Sequence, residues 1–379
     1  MFRKLLPLAL ATFAVGTDGY VIAGLLPSIA ADLHVTVPVA GQLVTAFALT
    51  FAVSAPVLGA ATSALDRRTA LLLALGVFIV GNAATAVGTT YEVVLAARVV
   101  TAAGAGIITS AASSTAAAIT PPERRGRALA FVLGGLTLAT ALGLPLGTLI
   151  GDGDWHLTLW AVAALGLVAA LGIAVGLPRI TLPAATLRER FRPLKETWVL
   201  GVLTVSVLFF LGTYVLYTYV VPALDRATGG SGSLVTLILL AWGLGTLGGN
   251  LLAGRLVDRH APGRILAWCL GATVPLLAVT PLATCHLATA VVWAVAWGVC
   301  VGMPVVPQQH RLIAHAPAAA PVLLGLNSSS VYVGVALGGA LGGLTQDRFG
   351  LRPEQLGLFA AAVVAVAFVL TFATLRPSR

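Results

Sequence analysis

The sequence predicts an all-α membrane protein of twelve transmembrane helices in two pseudo-symmetric six-helix bundles, and three observations carry that prediction. Of 379 residues, 58% are hydrophobic and only 9% charged, against roughly a quarter charged in an ordinary soluble domain. The 22 Lys and Arg and the 13 Asp and Glu sit in short clusters, and the stretches between them reach about twenty apolar residues, enough to cross a bilayer core. The segment ALGLPLGTLIGD at 141–152 returns as ALGGALGGLTQD at 336–347, an offset of 195. Such self-similarity marks a duplicated chain.

The spans follow in order from the charge clusters that separate them. The first, 6–29, begins after Arg3 and Lys4; the second and third, 41–64 and 70–89, meet at Asp66-Arg67-Arg68. The fourth and fifth, 93–118 and 128–150, are divided by Arg124, Arg125 and Arg127, and the sixth is 157–177. Residues 1–178 form the N-terminal bundle, 179–197 a basic linker with Arg179, Arg188, Arg190, Arg192 and Lys195, and 198–379 the C-terminal bundle. The second-half spans are 198–222, 233–254, 264–284, 287–306, 322–344 and 355–375, with Arg255, Arg259 and Arg264 between the eighth and ninth and Arg311 in the loop after the tenth. The start, Met-Phe-Arg-Lys before an apolar run, reads as an uncleaved first helix rather than a secretory signal, because further spans follow.

Charge placement sets the orientation. With the N-terminus inside, eighteen cations fall in inside segments; Arg226, Arg348 and Arg352 lie outside, and Arg98 lies within a span. That asymmetry predicts a multi-pass plasma-membrane protein with both termini cytoplasmic. The net charge of +9 is therefore read as topology, not as a nucleic-acid footprint. Cys269, Cys285 and Cys300 show no metal-ligand spacing and are read as packing residues. Neither HExxH, GxSxG nor a pair of facing aspartates occurs in a span, so no enzyme is expected. The expected partners are lipid bilayer, protons and a small molecule, with no cofactor or metal and no need for more than a monomer.

Asp18 is the one acid placed well inside a span, where a charge costs about 2.5 to 3.5 kcal/mol on insertion scales. Counting along the helices puts Arg98 at nearly the same depth. Two readings follow: a fixed ion pair, or an acid that exchanges a proton as its surroundings change. The 192–195 offsets find no counterpart of either charge in the second half, so any proton handling is expected in the first bundle. Gly143-Leu-Pro145-Leu-Gly147 allows close helix approach and a bend. Candidate ligand contacts are Tyr20 and Gln42 in the first half, and Tyr214, Tyr217, Trp293, Trp297, Asn327 and Tyr332 in the second. Tyr219 is read as an interfacial anchor.

Gly16-Thr17-Asp18-Gly19-Tyr20 through Gly24-Leu25-Leu26-Pro27, Leu65-Asp66-Arg67-Arg68, Gly81-Asn82 and Pro121-Pro122-Glu123-Arg124-Arg125-Gly126-Arg127 resemble the major facilitator superfamily. Specifically, they are similar to bacterial chloramphenicol-resistance and sugar- or nucleoside-efflux members of its drug:proton antiporter branch. The resemblance implies proton-driven export of a small drug-like compound, with Asp18 and Arg98 in proton coupling. It also implies gating by Asp66, Arg67, Arg68, Asp258 and Arg259, and an antiporter motif at Gly143, Pro145 and Gly147. A sugar or nucleoside carrier is the alternative; a sensor or scaffold lies in a different class. The chain departs from the pattern at Thr62, Thr69, Thr101 and Ala102, and Gly19 leaves Asp18 without the second acid many relatives carry.

Overall fold

The computed structural model describes residues 2–62, 64–121, 124–151, 154–181 and 191–375, and every secondary-structure element among them is helical. In the first half, α1 is Phe2–Asp32, α2 Val37–Ala61, α3 Arg67–Ala86 and α4 Tyr91–Ala118; α5 is Arg125–Ile150 and α6 Trp155–Gly176. In the second half, α7 is Thr197–Tyr217, α8 Gly232–Val257 and α9 Pro262–Ala278; α10 is Leu287–His315, α11 Ala320–Phe349 and α12 Leu356–Ala373. Eleven of the twelve are long and apolar enough to cross a bilayer. The exception, α9, has 17 residues with Pro275 inside it and is followed by a further short helix, Thr280–Ala283.

The termini are set by local chemistry. Asp66, Thr90 and Asp154 cap α3, α4 and α6 by accepting from the N–H groups of Thr69, Val93 and His156, groups that a helix start leaves without partners. Gly350, with φ 61°, ends α11 in the left-handed conformation that glycine adopts without a Cβ penalty. Several hydroxyls buried within the spans bond back to their own helix, as in Thr85 to Gly81 O at 2.8 Å and Thr101 to Ala97 O at 2.9 Å. That is the available partner where no water reaches. The perimeter carries Val175, Leu282 and Val292, 90%, 75% and 70% exposed, apolar faces suited to lipid rather than water.

The chain divides into two compact units, Met1–Thr36 with Ala46–Leu187, and Val37–Thr45 with Arg188–Arg379. In the first, α1 packs on α5 and α6, and α3 on α4 and α6. In the second, α7 packs on α11 and α12, and α9 on α12. The partnering of α1 and α3 thus returns six helices later, as the 195-residue offset requires.

Two helices are interrupted. In α5 a π-helical turn, Ala139–Gly143, precedes Pro145; proline has no N–H to give the preceding turn, and the wider turn absorbs the mismatch. In α10 the break falls at Met303 and Pro304, after which Val305–His315 continues as helix. The expected loop after residue 306 is thereby corrected. Pro307, Gln308, Arg311 and Leu312 are buried on one face of that segment, so an amphipathic period replaces the low hydropathy that suggested a loop. Arg311 belongs to a packed helix, not to a solvated loop. The linker residues Arg188 and Arg190, Pro122 and Glu123 of the loop before α5, and the tail cations Arg376 and Arg379 lie outside the described residues.

Candidate functional site

Asp18 on α1 and Arg98 on α4 meet inside the first unit. Arg98 Nη1 donates to Asp18 Oδ1 at 2.6 Å, and Nη2 to the Asp18 backbone carbonyl at 3.4 Å. Both side chains are buried, at 0% and 1% exposure. Phe47 of α2 lies against the guanidinium, 4.3 Å from its carbon to the ring centroid, where the ring face attracts a cation. Asp18 Oδ2 and Arg98 Nε are buried with no hydrogen-bond partner among the described residues. The pair is therefore close and desolvated, with one carboxylate oxygen left open.

The interrupted fifth helix packs directly beside this pair. A side chain on Gly143 would collide with Thr17 Oγ1, and one on Gly147 with Val21. Glycine at these positions brings the α5 backbone against α1 one and three residues from Asp18. Thr17 keeps its hydroxyl satisfied on Phe13 O at 2.9 Å. Pro145 is buried at the first turn after the π segment.

The two gating-loop acids differ. Asp66 caps α3, accepting from Thr69 N at 3.1 Å. The Thr69 hydroxyl and N–H, with lesser help from the Arg179 charge and the Arg68 N–H, hold its carboxyl below the usual aspartate range. Beside it, Arg67 is buried and its N–H donates to Ile180 O at 2.8 Å, tying this loop to the start of the linker; Arg68 is half-buried. Asp258 and Arg259, at the end of α8, are exposed and enter none of the ion pairs among the described residues.

In the second unit, four of the expected ligand contacts form one aromatic cluster. Tyr214 and Tyr217 have ring centroids 5.0 Å apart, Trp293 and Trp297 4.8 Å, and Tyr217 and Trp297 6.3 Å. Trp242 of α8, which the sequence reading did not single out, joins them at 4.5 Å from Tyr217 and 5.8 Å from Trp297. Tyr217 and Trp297 are sealed at 1% exposure each, and Trp293 Nε1 donates to Leu276 O at 2.8 Å. These rings thus pack on one another, and as described they offer no open face to a ligand.

The remaining candidates are dispersed. Tyr20 and Tyr332 are half-buried, and Gln42 donates to Pro38 O at 3.3 Å. Asn327 belongs to a separate polar network, accepting from Ser206 at 3.1 Å, while Gln308 donates to Ser206 at 3.1 Å and to Val202 O at 2.9 Å. Tyr219 is corrected from interfacial anchor to buried contact: its hydroxyl donates to Gly339 O at 2.9 Å, and its ring fills the space left by Gly41, Gly342 and Gly343. Cys269 and Cys300 are buried, with Cys269 Sγ donating to Cys300 O at 2.9 Å.

Phe47, Trp242 and Gln308 were missed at the sequence level. A signal for the first two existed, since the 195 offset that aligns the glycine-rich repeats also places Phe47 opposite Trp242. Gln308 carries none beyond the amphipathic period of its segment.

The family model of the Major Facilitator Superfamily matches residues 8–222 and 202–379. Similar proteins include the inner membrane transport protein YdhP of Escherichia coli, 31% identical over 374 residues, 98% of this chain and 96% of that protein. The chloramphenicol resistance protein of Streptomyces lividans is 35% identical over 266 residues, 69% of this chain and 68% of that protein. Among solved structures, the nucleoside transporter NupG superposes with TM-score 0.78 at 13% identity, over 98% of this chain and 100% of that one. A bacterial homologue of the human lysosomal transporter Spinster gives 0.75 at 17% identity, over 98% and 96%; at such identities the likeness is one of fold. Twelve helices in repeated partnering, a family match along nearly the whole chain and full-length relatives agree: the chain belongs to the Major Facilitator Superfamily of membrane transporters.

Proposed function

We propose that this chain is a proton-coupled antiporter of a plasma membrane, both termini cytoplasmic, exporting a small amphipathic drug such as chloramphenicol by alternating access. The carrying observation is the buried Asp18–Arg98 pair with its open Oδ2. Burial favours the neutral acid and the guanidinium favours the carboxylate, so a modest change around the pair moves the balance. A proton bound at Oδ2 neutralises Asp18 and weakens its hold on Nη1. Arg98 then rests on the Asp18 carbonyl and the Phe47 face. Release of that proton restores the pair. The packing of Gly143 against Thr17 gives a path by which a change at the acid reaches α5, and the likeness to the Streptomyces lividans protein supports a phenicol as cargo.

The test is accumulation of labelled chloramphenicol in everted vesicles under an imposed pH step, with wild type and Asp18→Asn. Wild type is expected to accumulate drug against its gradient, and Asp18→Asn to lose the pH-driven part while still reaching the membrane. Undiminished pH-driven accumulation by Asp18→Asn rejects the coupling role. Binding without flux by wild type favours a sensor, and flux of sugars or nucleosides alone replaces the cargo.

A further inference from the structure

At one end of the second unit, the start of α7, the start of α9 and the ends of α10 and α12 enclose a cleft of about 860 Å³. It shares no residue with the aromatic cluster, and its lining divides by chemistry. Arg264, His310, Arg311 and His315 supply cations or potential cations, and no Asp or Glu is among the lining residues. Trp198, Trp268, Phe368 and Phe372 supply apolar and aromatic walls, with Trp268 and Phe372 about half exposed at 51% each.

Arg311 is the unusual member. It is 9% exposed, yet its hydrogen bonds run to neutral acceptors: Gln308 Oε1 at 2.9 Å, Thr374 O at 2.8 Å and Thr374 Oγ1 at 2.7 Å. Trp198 lies 5.6 Å from its guanidinium carbon and also donates to Thr374 O, at 3.1 Å. None of the ion pairs among the described residues includes Arg311. A buried guanidinium without a counter-anion is costly, and a phosphate is the anion its fork fits best. His315 meets the carboxylate of Glu196 through Nε2 at 2.6 Å, while its Nδ1 is buried with no hydrogen-bond partner among the described residues. Glu196 offsets one charge at the rim and leaves the cleft net basic.

We propose that this cleft binds an acidic glycerophospholipid of the leaflet that the charge asymmetry assigns to the cytoplasm. Its phosphate sits against Arg311 and Arg264, and its acyl chains run along Phe368, Phe372 and Trp268. Charge complementarity argues for an anionic occupant and the flanking aromatic wall for an amphiphile; basic recesses between membrane helices on this side suit acidic headgroups. The lipid would brace α12 against α10 through Arg311 and Thr374, independently of the proton-coupling pair.

Native mass spectrometry of the purified chain with dioleoylphosphatidylglycerol or dioleoylphosphatidylcholine tests this. Wild type is expected to retain one phosphatidylglycerol in preference to phosphatidylcholine. Arg264→Gln, at an exposed position that leaves the packing intact, is expected to lower that preference by about fivefold, and adding His310→Gln, also exposed, to lower it further. Arg311→Gln is expected to remove most of it. Equal retention of the two lipids, or an unchanged preference in the Arg264→Gln/His310→Gln variant, overturns the proposal. Displacement of the lipid by millimolar inorganic phosphate overturns it in favour of a site for a soluble anion.

Discussion

Arg98 Nη1 sits 2.6 Å from Asp18 Oδ1, while Oδ2 of the same carboxylate meets no donor among the described residues. The guanidinium engages one oxygen rather than both, which separates this pair from the bidentate geometry of a purely structural bridge. It favours the ionised form of Asp18 and leaves Oδ2 as the oxygen on which the proposed proton exchange would act.

Removing one partner leaves a charge or a donor unanswered in a dry site, so Arg98→Ala is expected to cost about 3 to 5 kcal/mol in folding stability. Asp18→Asn/Arg98→Gln, which removes both charges and keeps the shapes, is expected to cost distinctly less. Thermal unfolding in detergent, run as a double-mutant cycle, reads the difference. A loss in the double variant equal to the sum of the losses in Asp18→Asn and Arg98→Gln alone would show that the pair carries no coupling energy.

Gly143 faces Thr17 so closely that any side chain there collides with the threonine hydroxyl. Gly143→Ala is therefore expected to destabilise by about 1 to 3 kcal/mol, as overpacking does, and to slow transport. Thr17→Ala in the same chain frees the colliding oxygen and should recover part of both losses. A Gly143→Ala protein with unchanged unfolding temperature and flux would show that α5 and α1 separate easily here.

Asp66 caps α3, and its carboxyl is held below the ordinary value of 3.8, first by the Thr69 hydroxyl and then by the Thr69 N–H. A depressed carboxyl contributes stability that is fully present above its unfolded-state pKa and is lost as pH falls through the lower folded value. Protection of the first turn of α3 against hydrogen exchange should thus persist down to about pH 4 in wild type. In Thr69→Ala it should fade at higher pH. Asp66→Asn keeps a capping oxygen without the charge: transport retained by Asn but lost by Ala assigns Asp66 to capping, and transport lost by both assigns it to a charge-dependent gate.

The parts of this arrangement legible in the sequence are those that break a membrane helix's monotony. Asp18 and Arg98 stand out because charges are rare there, and counting residues from the span edges brings them to one depth. Span number and pairing follow from the loop charges and the repeated glycine segment. The repeat offset marks Phe47 as the counterpart of Trp242, but its contact with Arg98 was not legible, because an apolar residue in an apolar helix does not show which face it presents. Arg311 misled for the opposite reason: a cation after a span resembles a loop marker, and only the buried face shared with Pro307, Gln308 and Leu312 shows it to be inside. Asp66 and Asp258 are related by sequence offset, yet the first caps a helix start and the second lies exposed at a helix end.

Tyr219 joins the start of α2 to α11. Its ring occupies the space beside Gly41, Gly342 and Gly343, and its hydroxyl donates to Gly339 O at 2.9 Å and to Pro38 O at 3.4 Å. It thereby ties Val37–Thr45, the nine residues of α2 that belong to the second unit, to α11. Tyr219→Phe removes only the hydroxyl and leaves Gly339 O with one acceptor site unanswered, a loss of about 1 kcal/mol. Tyr219→Ala also empties the glycine-lined space and should cost about 3 to 5 kcal/mol, as large-to-small core changes do. Hydrogen–deuterium exchange over 37–45 is expected to rise slightly in Tyr219→Phe and strongly in Tyr219→Ala, with exchange in α3 unchanged because α3 belongs to the other unit. A uniform rise across both units would mean general destabilisation and would refute a local tie; no rise in 37–45 would mean that the start of α2 is held by its own helix alone.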